Sequence, residues 1–434
     1  MMRKNLLLSI CALFLALSTF AQIVPPPPSG YFDLIIVFPL DAQPAAIEAI
    51  LRDFNATQLA ITPVTQARLW RMTTSFKSPL TSPLGSYSYS DPLDAVERVR
   101  GRTSGVGTGG TSIQISTPTR LPEVYAPKNI KKLPYAPLLS SCMAENDFLI
   151  SDIGVTIVKV AIMDTGLECD LQNPILFKHP SLSRFVAVND RRNFTADYPE
   201  NLVNDKHGHG TGVASVIVRG FERARKYSSC RIVPIKVLNN AGEGTLYALI
   251  QGIDHAIQKN VDIINISVIS PDKTIYKGKT PIELAIQKAE VQGILVVSAA
   301  GNDNRDIDLP ENRLYPACTS NPNQLVVGAG GCSGSLAYFA NFGKTSVDIF
   351  APGESIIVYG LADTFNEVDG SSFAAPIVTG IAAALRTHSP VRSWQQLDCA
   401  IRSGVTLIPA FSGKCTSGGG VHSGRARSSL DSCR

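Results

Sequence analysis

From about residue 150 onward, short apolar runs alternate with stretches of helical periodicity, and no other feature of the sequence constrains the fold so tightly. VKVAIMD (158–164), RIVPIKVL (231–238), DIINIS (262–267), ILVVSAA (294–300) and QLVVGAG (324–330) are apolar nearly throughout, as strands covered on both faces must be. Between the second and third runs, Leu246, Leu249, Ile250, Ile253 and Ile257 recur at helical spacing behind Thr245, which can cap the helix. Residues 280–292 form another helical stretch. This alternation predicts an α/β fold in which a parallel β-sheet is flanked by helices on both faces. Ligands of such folds bind at the carboxyl ends of the strands, so residues at those ends are the first candidates for chemistry. No repeat of roughly 20–50 residues is visible, which sets aside solenoids and propellers.

The 434 residues leave room for more than this layer. Arg3 and Lys4 precede an apolar run over 6–17, and small residues lead up to Ala21, so residues 1–21 are expected to be a cleaved secretory signal. The run is shorter than the roughly 20 residues a membrane span needs, and no later stretch reaches that length. Residues 22–30 form a spacer around Pro25 to Pro28. Residues 31–100 read as a small α+β module: strand FDLIIVF (32–38), a helix over 45–54 with Ile47, Ile50, Leu51 and Phe54 on one stripe, strands QLAITPV and ARLWRM, and a short helix near 91–100. Residues 101–145, rich first in Gly, Ser and Thr and then in Pro, read as an exposed linker. The sheet layer and a C-terminal extension occupy 146–434.

Composition excludes several classes. At 44% hydrophobic and 18% charged residues the chain is neither disordered nor a coiled coil, and a net charge of +4 is too slight to mark a nucleic-acid surface. Of nine cysteines, Cys11 leaves with the signal; Cys142, Cys169, Cys230, Cys318, Cys332, Cys399, Cys415 and Cys433 remain, an even number that favours disulfides in an exported protein. No CxxC pair is present for a zinc ribbon. The last stretch, SGKCTSGGGVHSGRARSSLDSCR, is poor in apolar residues and needs a crosslink. Cys415 is expected to bond Cys399 or Cys433, with the third pairing back to the core.

Four segments place one reactive side chain among small residues. Asp164 ends the strand VAIMD; His209 lies between glycines in HGHGTGVAS; Asn302 follows a strand in VVSAAGN; Ser372 precedes a small-residue helix in DGSSFAAP. An Asp can orient a His, a His can take a proton from a Ser at a helix start, and an Asn amide can donate to a developing oxyanion. His207 and His209 could also face one metal ion, but no third ligand lies at usual spacing, so no metal and no cofactor is expected. Position 374 is Ala, which rules out the GxSxG elbow of the α/β-hydrolases.

In chain order the set is Asp, His, Asn, Ser, and with these motifs the chain resembles the subtilisin-like serine proteases, the subtilases. DTG at Asp164, GHGTGVAS at His209, AAGN at Asn302 and GSSFAAP at Ser372 match that family's signatures. NISV at Asn265, YPA at Tyr315 and APG at Ala351 match lesser landmarks. The likeness implies a secreted serine endopeptidase, extracellular or periplasmic, with Asp164, His209 and Ser372 as triad and Asn302 as oxyanion donor. It implies a polypeptide substrate clamped by Ser267, Val268 and Ile269 on one side and Ala299, Ala300 and Gly301 on the other. It also implies that the 31–100 module is a prodomain, a chaperone and inhibitor that the enzyme removes from itself with a cut between about 101 and 150. A monomer with no nucleic-acid partner and no membrane span after signal removal is expected. The alternatives are a weakly active binding or scaffold protein on the same fold, or a secreted esterase.

The chain departs from the family pattern at several places. Gly212 stands where the family has a second His and Ser215 where it has Gly. The Ser267 segment continues Val-Ile-Ser instead of Leu-Gly-Gly, bulk that narrows the expected cleft. The segment after the His209 helix lacks the Asn-rich loop that binds calcium in many relatives, so no calcium is expected there.

Overall fold

A computed structural model describes residues 31–73, 75–77, 86–88, 92–103, 111–116, 118–120, 128–130, 152–271, 278–332, 334–389 and 393–433, with residues 27 and 106. The expected signal, almost all of the Pro-rich spacer and much of the 101–145 linker lie outside the described residues. The chain divides into two compact units, residues 1–115 and 116–434.

In the first unit, β1 (Tyr31–Val37), β2 (Thr57–Ile61), β3 (Arg68–Thr73) and β4 (Ser112–Ile115) form an antiparallel sheet in the order β2-β3-β1-β4. Helices α1 (Pro44–Asp53) and α2 (Pro92–Thr103) accompany it. Phe32, Leu34 and Ile36 alternate along β1 and share one buried cluster with Ile47, Ile50, Phe54, Trp70, Met72, Val96 and Val99. The period-2 and helical patterns therefore meet in one core, where each fully buried large apolar side chain contributes about 1.5–3 kcal/mol.

In the second unit two short strands come first, β5 (Pro118–Arg120) and β6 (Lys128–Ile130). The main sheet follows, with β7 (Val158–Asp164), β8 (Arg192–Asn193), β9 (Cys230–Lys236), β11 (Ile263–Ile266), β13 (Leu295–Ala299), β15 (Gln324–Gly330) and β16 (Ile349–Pro352). Its order is β8-β9-β7-β11-β13-β15-β16, all parallel, extended by Gly419–Gly420 (β20) in parallel and Thr406–Leu407 (β19) in antiparallel. Smaller ladders are added by β10 (Glu243–Thr245), β12 (Ser270–Pro271), β14 (Leu314–Tyr315), β17 (Ile356–Tyr359) and β18 (Phe365–Val368). The five apolar runs read from the sequence are five of these sheet strands, each within two residues at its ends.

Helices α3 (His209–Arg223), α4 (Leu246–Gln258), α5 (Pro281–Val291), α6 (Ser371–Arg386), α7 (Trp394–Ser403) and α8 (Ser423–Ser429) complete the unit. Thr245 caps α4 by accepting from Ala248 N at 3.1 Å, and Thr280 with Glu283 forms a capping box at α5. Helix α6 is buried from Ser371 to Thr379 without a break, because its Ala, Val and Ile side chains leave no polar face. Among the described residues no helix is long and apolar enough to cross a membrane.

The C-terminal crosslink differs from expectation. Cys399 on α7 is joined to Cys433, with Cα atoms 5.8 Å apart, and Cys415 is a buried free thiol. The Cys415 side chain sits in the apolar cluster with Phe350 and Phe411, its sulfur 3.9 Å from Phe411 O and Gly419 O, so burial holds this segment where a bond had been expected.

Candidate active site

Asp164 is the last residue of β7, and its carboxylate is fully buried. Its Oδ1 accepts from Thr165 N at 2.7 Å and lies 2.8 Å from His209 Nδ1. A carboxylate only accepts, so Nδ1 carries the hydrogen and Nε2 faces outward as an acceptor. His209 opens α3 behind Gly208, and its Nε2 stands 3.0 Å from Ser372 Oγ. Ser372 is the second residue of α6, 2% exposed, at the positive end of the helix dipole. The structure thus brings together three residues separated by 45 and 163 positions in the chain.

The fourth residue is held against them. Ser371 N donates to Asn302 Oδ1 at 2.8 Å, and Gly301 N donates to Ser371 Oγ at 3.0 Å, a reciprocal pair that turns the Asn302 amide nitrogen toward Ser372 Oγ. Gly370 shows the result: at φ +144° it lacks a side chain where a Cβ would lie 3.1 Å from Ser372 Oγ and 3.2 Å from Asn302 Nδ2. That opening, flanked by a hydroxyl and an amide donor, is where a carbonyl would be attacked and its oxygen received.

Pro376 inside α6 has no N–H, so the carbonyl of Ser372 lacks its helical donor. Ser267 supplies one, its Oγ donating to Ser372 O at 2.9 Å while accepting from Asn265 Nδ2 at 2.9 Å. Thr379 Oγ1, one helical turn beyond Ala375, donates to Asn265 Oδ1 at 2.8 Å. The strand end at Ser267 is therefore stitched to the backbone of Ser372. Val268 and Ile269 follow it, both fully buried. The opposite segment spends its backbone inside the protein. Ala300 N donates to Val327 O and Ala300 O accepts from Asn341 Nδ2 at 3.0 Å, while Gly301 O accepts from Asn341 N at 3.3 Å. Ala299, Ala300 and Gly301 thus form a wall beside the site.

Several residues at the site carried no signal in the sequence. Asp205, 1% exposed, accepts five hydrogen bonds: from Thr165 Oγ1 (2.9 Å), His207 N (3.0 Å) and Gly208 N (2.8 Å) on one oxygen, and from Thr211 N (2.9 Å) and Thr211 Oγ1 (2.8 Å) on the other. Thr165 Oγ1 in turn accepts from Gly210 N at 2.9 Å, so one carboxylate fastens the residue after Asp164 to both sides of His209. Lys236, fully buried opposite Asp164 in the neighbouring strand, donates to Thr165 O at 2.6 Å. Burial pushes its ammonium pKa down, and Asp205, Asp197 and Asp164 work against that shift. His207 lies with its ring centroid 6.3 Å from that of His209; burial, and then the neighbouring His209, lower its pKa. Both ring nitrogens of His209 are taken by Asp164 and Ser372. Among the described residues no group of three His, Cys, Asp or Glu is placed to hold a metal ion.

Comparison with known proteins shows the family. The sequence model of the subtilase family matches residues 156–406. The chain is 31% identical over 255 residues to subtilisin DY of Bacillus licheniformis, covering 58% of this chain and 84% of that one. It is 31% identical over 237 residues to the major intracellular serine protease of Bacillus subtilis, covering 53% and 69%. It is also 31% identical over 273 residues to the thermostable alkaline protease of Halalkalibacterium halodurans, covering 62% and 67%.

Proposed function

Because the chain belongs to the subtilase family and is a serine endopeptidase, we propose that it cleaves polypeptides with Asp164, His209, Ser372 and Asn302 in the roles their geometry suits. The observation that carries this reading is the buried chain of contacts from Asp164 through His209 to Ser372, at 2.8 and 3.0 Å, with the Asn302 amide beside it. Ser372 Oγ attacks the scissile carbonyl carbon while its proton passes to His209 Nε2. Asp164 keeps the imidazole in the required tautomer and stabilises the imidazolium. The oxyanion receives a hydrogen bond from Asn302 Nδ2. When the C–N bond breaks, the Nε2 proton goes to the leaving amine, and water repeats the sequence on the acyl-enzyme.

The chain is further read as an exported zymogen whose 31–100 module restrains the site until it is cut away. Two backbone pairings within the second unit support the placing of that cut in the 101–145 segment. Pro118–Arg120 (β5) lies antiparallel on Glu243–Thr245, and Lys128–Ile130 (β6) lies antiparallel on Phe365–Glu367, a few residues ahead of Ser372. An extended chain added to a strand edge is how a protease holds a peptide, and both of these strands belong to the segment in which the cut is expected. Hydrolysis of denatured casein and of a p-nitrophenyl ester by wild type and Ser372→Ala tests the whole reading. Casein cleavage lost in the variant supports it. Ester turnover without casein cleavage supports an esterase, and neither activity a scaffold.

A further inference from the structure

On the reading above, the scissile carbonyl sits at the opening between Ser372 Oγ and Asn302 Nδ2, which brings the side chain on its acyl side next to the wall formed by Ala300 and Gly301. Leu314 packs against that wall. Gly301, at φ +94°, has no side chain, and a Cβ built there would come within 2.7 Å of Leu314 Cδ1 and 2.5 Å of Asn341 Nδ2. The isobutyl group of Leu314 therefore rests directly on the Gly301 backbone. It is held there by pairing: Leu314–Tyr315 (β14) runs antiparallel to Ser270–Pro271 (β12), Tyr315 opposite Ser270 and Leu314 opposite Pro271. The segment that begins at Ser267, bonded to the nucleophile's carbonyl, is thus closed onto Leu314 at its other end.

Ile269 and Ala300, both fully buried, and Leu314, 6% exposed, belong to one apolar cluster with Ile307 and Ala317. Interiors of this kind are close-packed, and a large side chain enters only by pushing others off their rotamers. We propose that Leu314, backed by Ile269, fills the space beside the nucleophile and limits the enzyme to small residues, glycine, alanine or serine, on the acyl side of the bond it cuts. This rests on Ser372 being the nucleophile and specifies the substrate class of that same site.

The test uses the mature enzyme and peptidyl p-nitroanilides that differ only in the last residue, alanine, leucine or phenylalanine, with rates expressed per site titrated by a covalent serine reagent. Wild type is expected to show kcat/KM for alanine at least tenfold above phenylalanine. Leu314→Gly is expected to raise phenylalanine relative to alanine by tenfold or more. Leu314→Ala keeps a side chain in case the glycine variant does not fold, and is expected to shift the ratio in the same direction. Mass spectrometry of casein digests reads the same preference without synthetic substrates. A wild type that prefers phenylalanine, or a ratio unmoved by either substitution, overturns the proposal while casein cleavage still upholds the serine peptidase. If Ser372→Ala cleaves casein as wild type does, the underlying reading fails first.

Discussion

Replacing Asp205 by Asn is expected to damage the site without touching substrate. The carboxylate has no exposed edge, and its five donors come from residues that flank Asp164 and His209. An amide offers one acceptor oxygen instead of two. If its nitrogen takes the Oδ2 place it confronts Thr211 N, and in the Oδ1 place it confronts His207 N and Gly208 N. Either way at least one buried N–H loses its acceptor, about 1–3 kcal/mol, and the surviving bonds lose the strengthening that charge provides. A total of about 2–4 kcal/mol corresponds to a Tm lower by roughly 3–6 °C in a unit of this size. The measurement belongs in the Ser372→Ala background, where self-digestion cannot confuse a calorimetric scan. In the active background kcat is expected to fall at least tenfold, because a reacting group displaced by a fraction of an ångström loses much of its advantage. KM should stay within about twofold of wild type. Asp205→Ala, with all five acceptor contacts gone, should be worse in both respects. An Asn variant that melts with wild type and turns over at the wild-type rate would refute the idea that this carboxylate sets the spacing of Asp164 and His209.

Ser372→Ala and His209→Ala should each abolish nearly all activity, and the double variant should be little worse, measured as kcat/KM on one peptide substrate; additive losses would separate the two residues. Ser372→Ala should accumulate as a precursor heavier than wild type by roughly 10 kDa, and the wild-type cut should fall between Arg120 and Lys128 by mass spectrometry of the mature N-terminus. His255, whose Nε2 donates to Asp190 O at 2.7 Å among Lys259, Arg192 and Asp190, has its pKa pushed down to about 4, chiefly by burial. The unfolded chain takes that proton near pH 6.5, so the contribution is whole above about pH 6.5 and drains by about 3 kcal/mol as pH falls to 4; urea unfolding of His255→Gln in the inactive background should show a shallower acid loss. Cys399→Ser opens a loop of 34 residues and should cost about 4 kcal/mol in the chain-entropy model, read as a lower Tm under non-reducing conditions.

The strands and the four reactive residues were legible because each rests on a local signal. A run such as VKVAIMD is apolar wherever it is buried, and Asp164, His209, Asn302 and Ser372 each stand in a neighbourhood of small residues that the chain order ties together. Asp205 was not legible, because a lone Asp four residues before a His looks like any turn former until five donors converge on it. Asn341 and Thr379 escaped for a related reason: their partners, Ala300 and Asn265, lie 41 and 114 positions away and are supplied by the fold alone. Leu314 read as one more apolar residue, since only the φ of Gly301 and the short ladder with Pro271 put it against the Gly301 backbone. The C-terminal pairing was misjudged because a stretch poor in apolar residues reads as unable to hold itself by burial, whereas Cys415 packs in one cluster with Phe350 and Phe411.

Helix α6 carries Ser372 on a first half that is buried throughout. Amides there are expected to exchange hydrogen at the slow limit set by opening of the whole unit, which hydrogen exchange followed by mass spectrometry would read. Ser372 consequently has no partly ordered existence: the serine, its imidazole and the amide beside it come into register in a single cooperative event, when the flanking strands close over the helix. On the reading given above, a chain still being synthesised is chemically inert toward its neighbours until that moment. Heat, for its part, inactivates such an enzyme at the rate of global unfolding and leaves no loosened intermediate that still cuts.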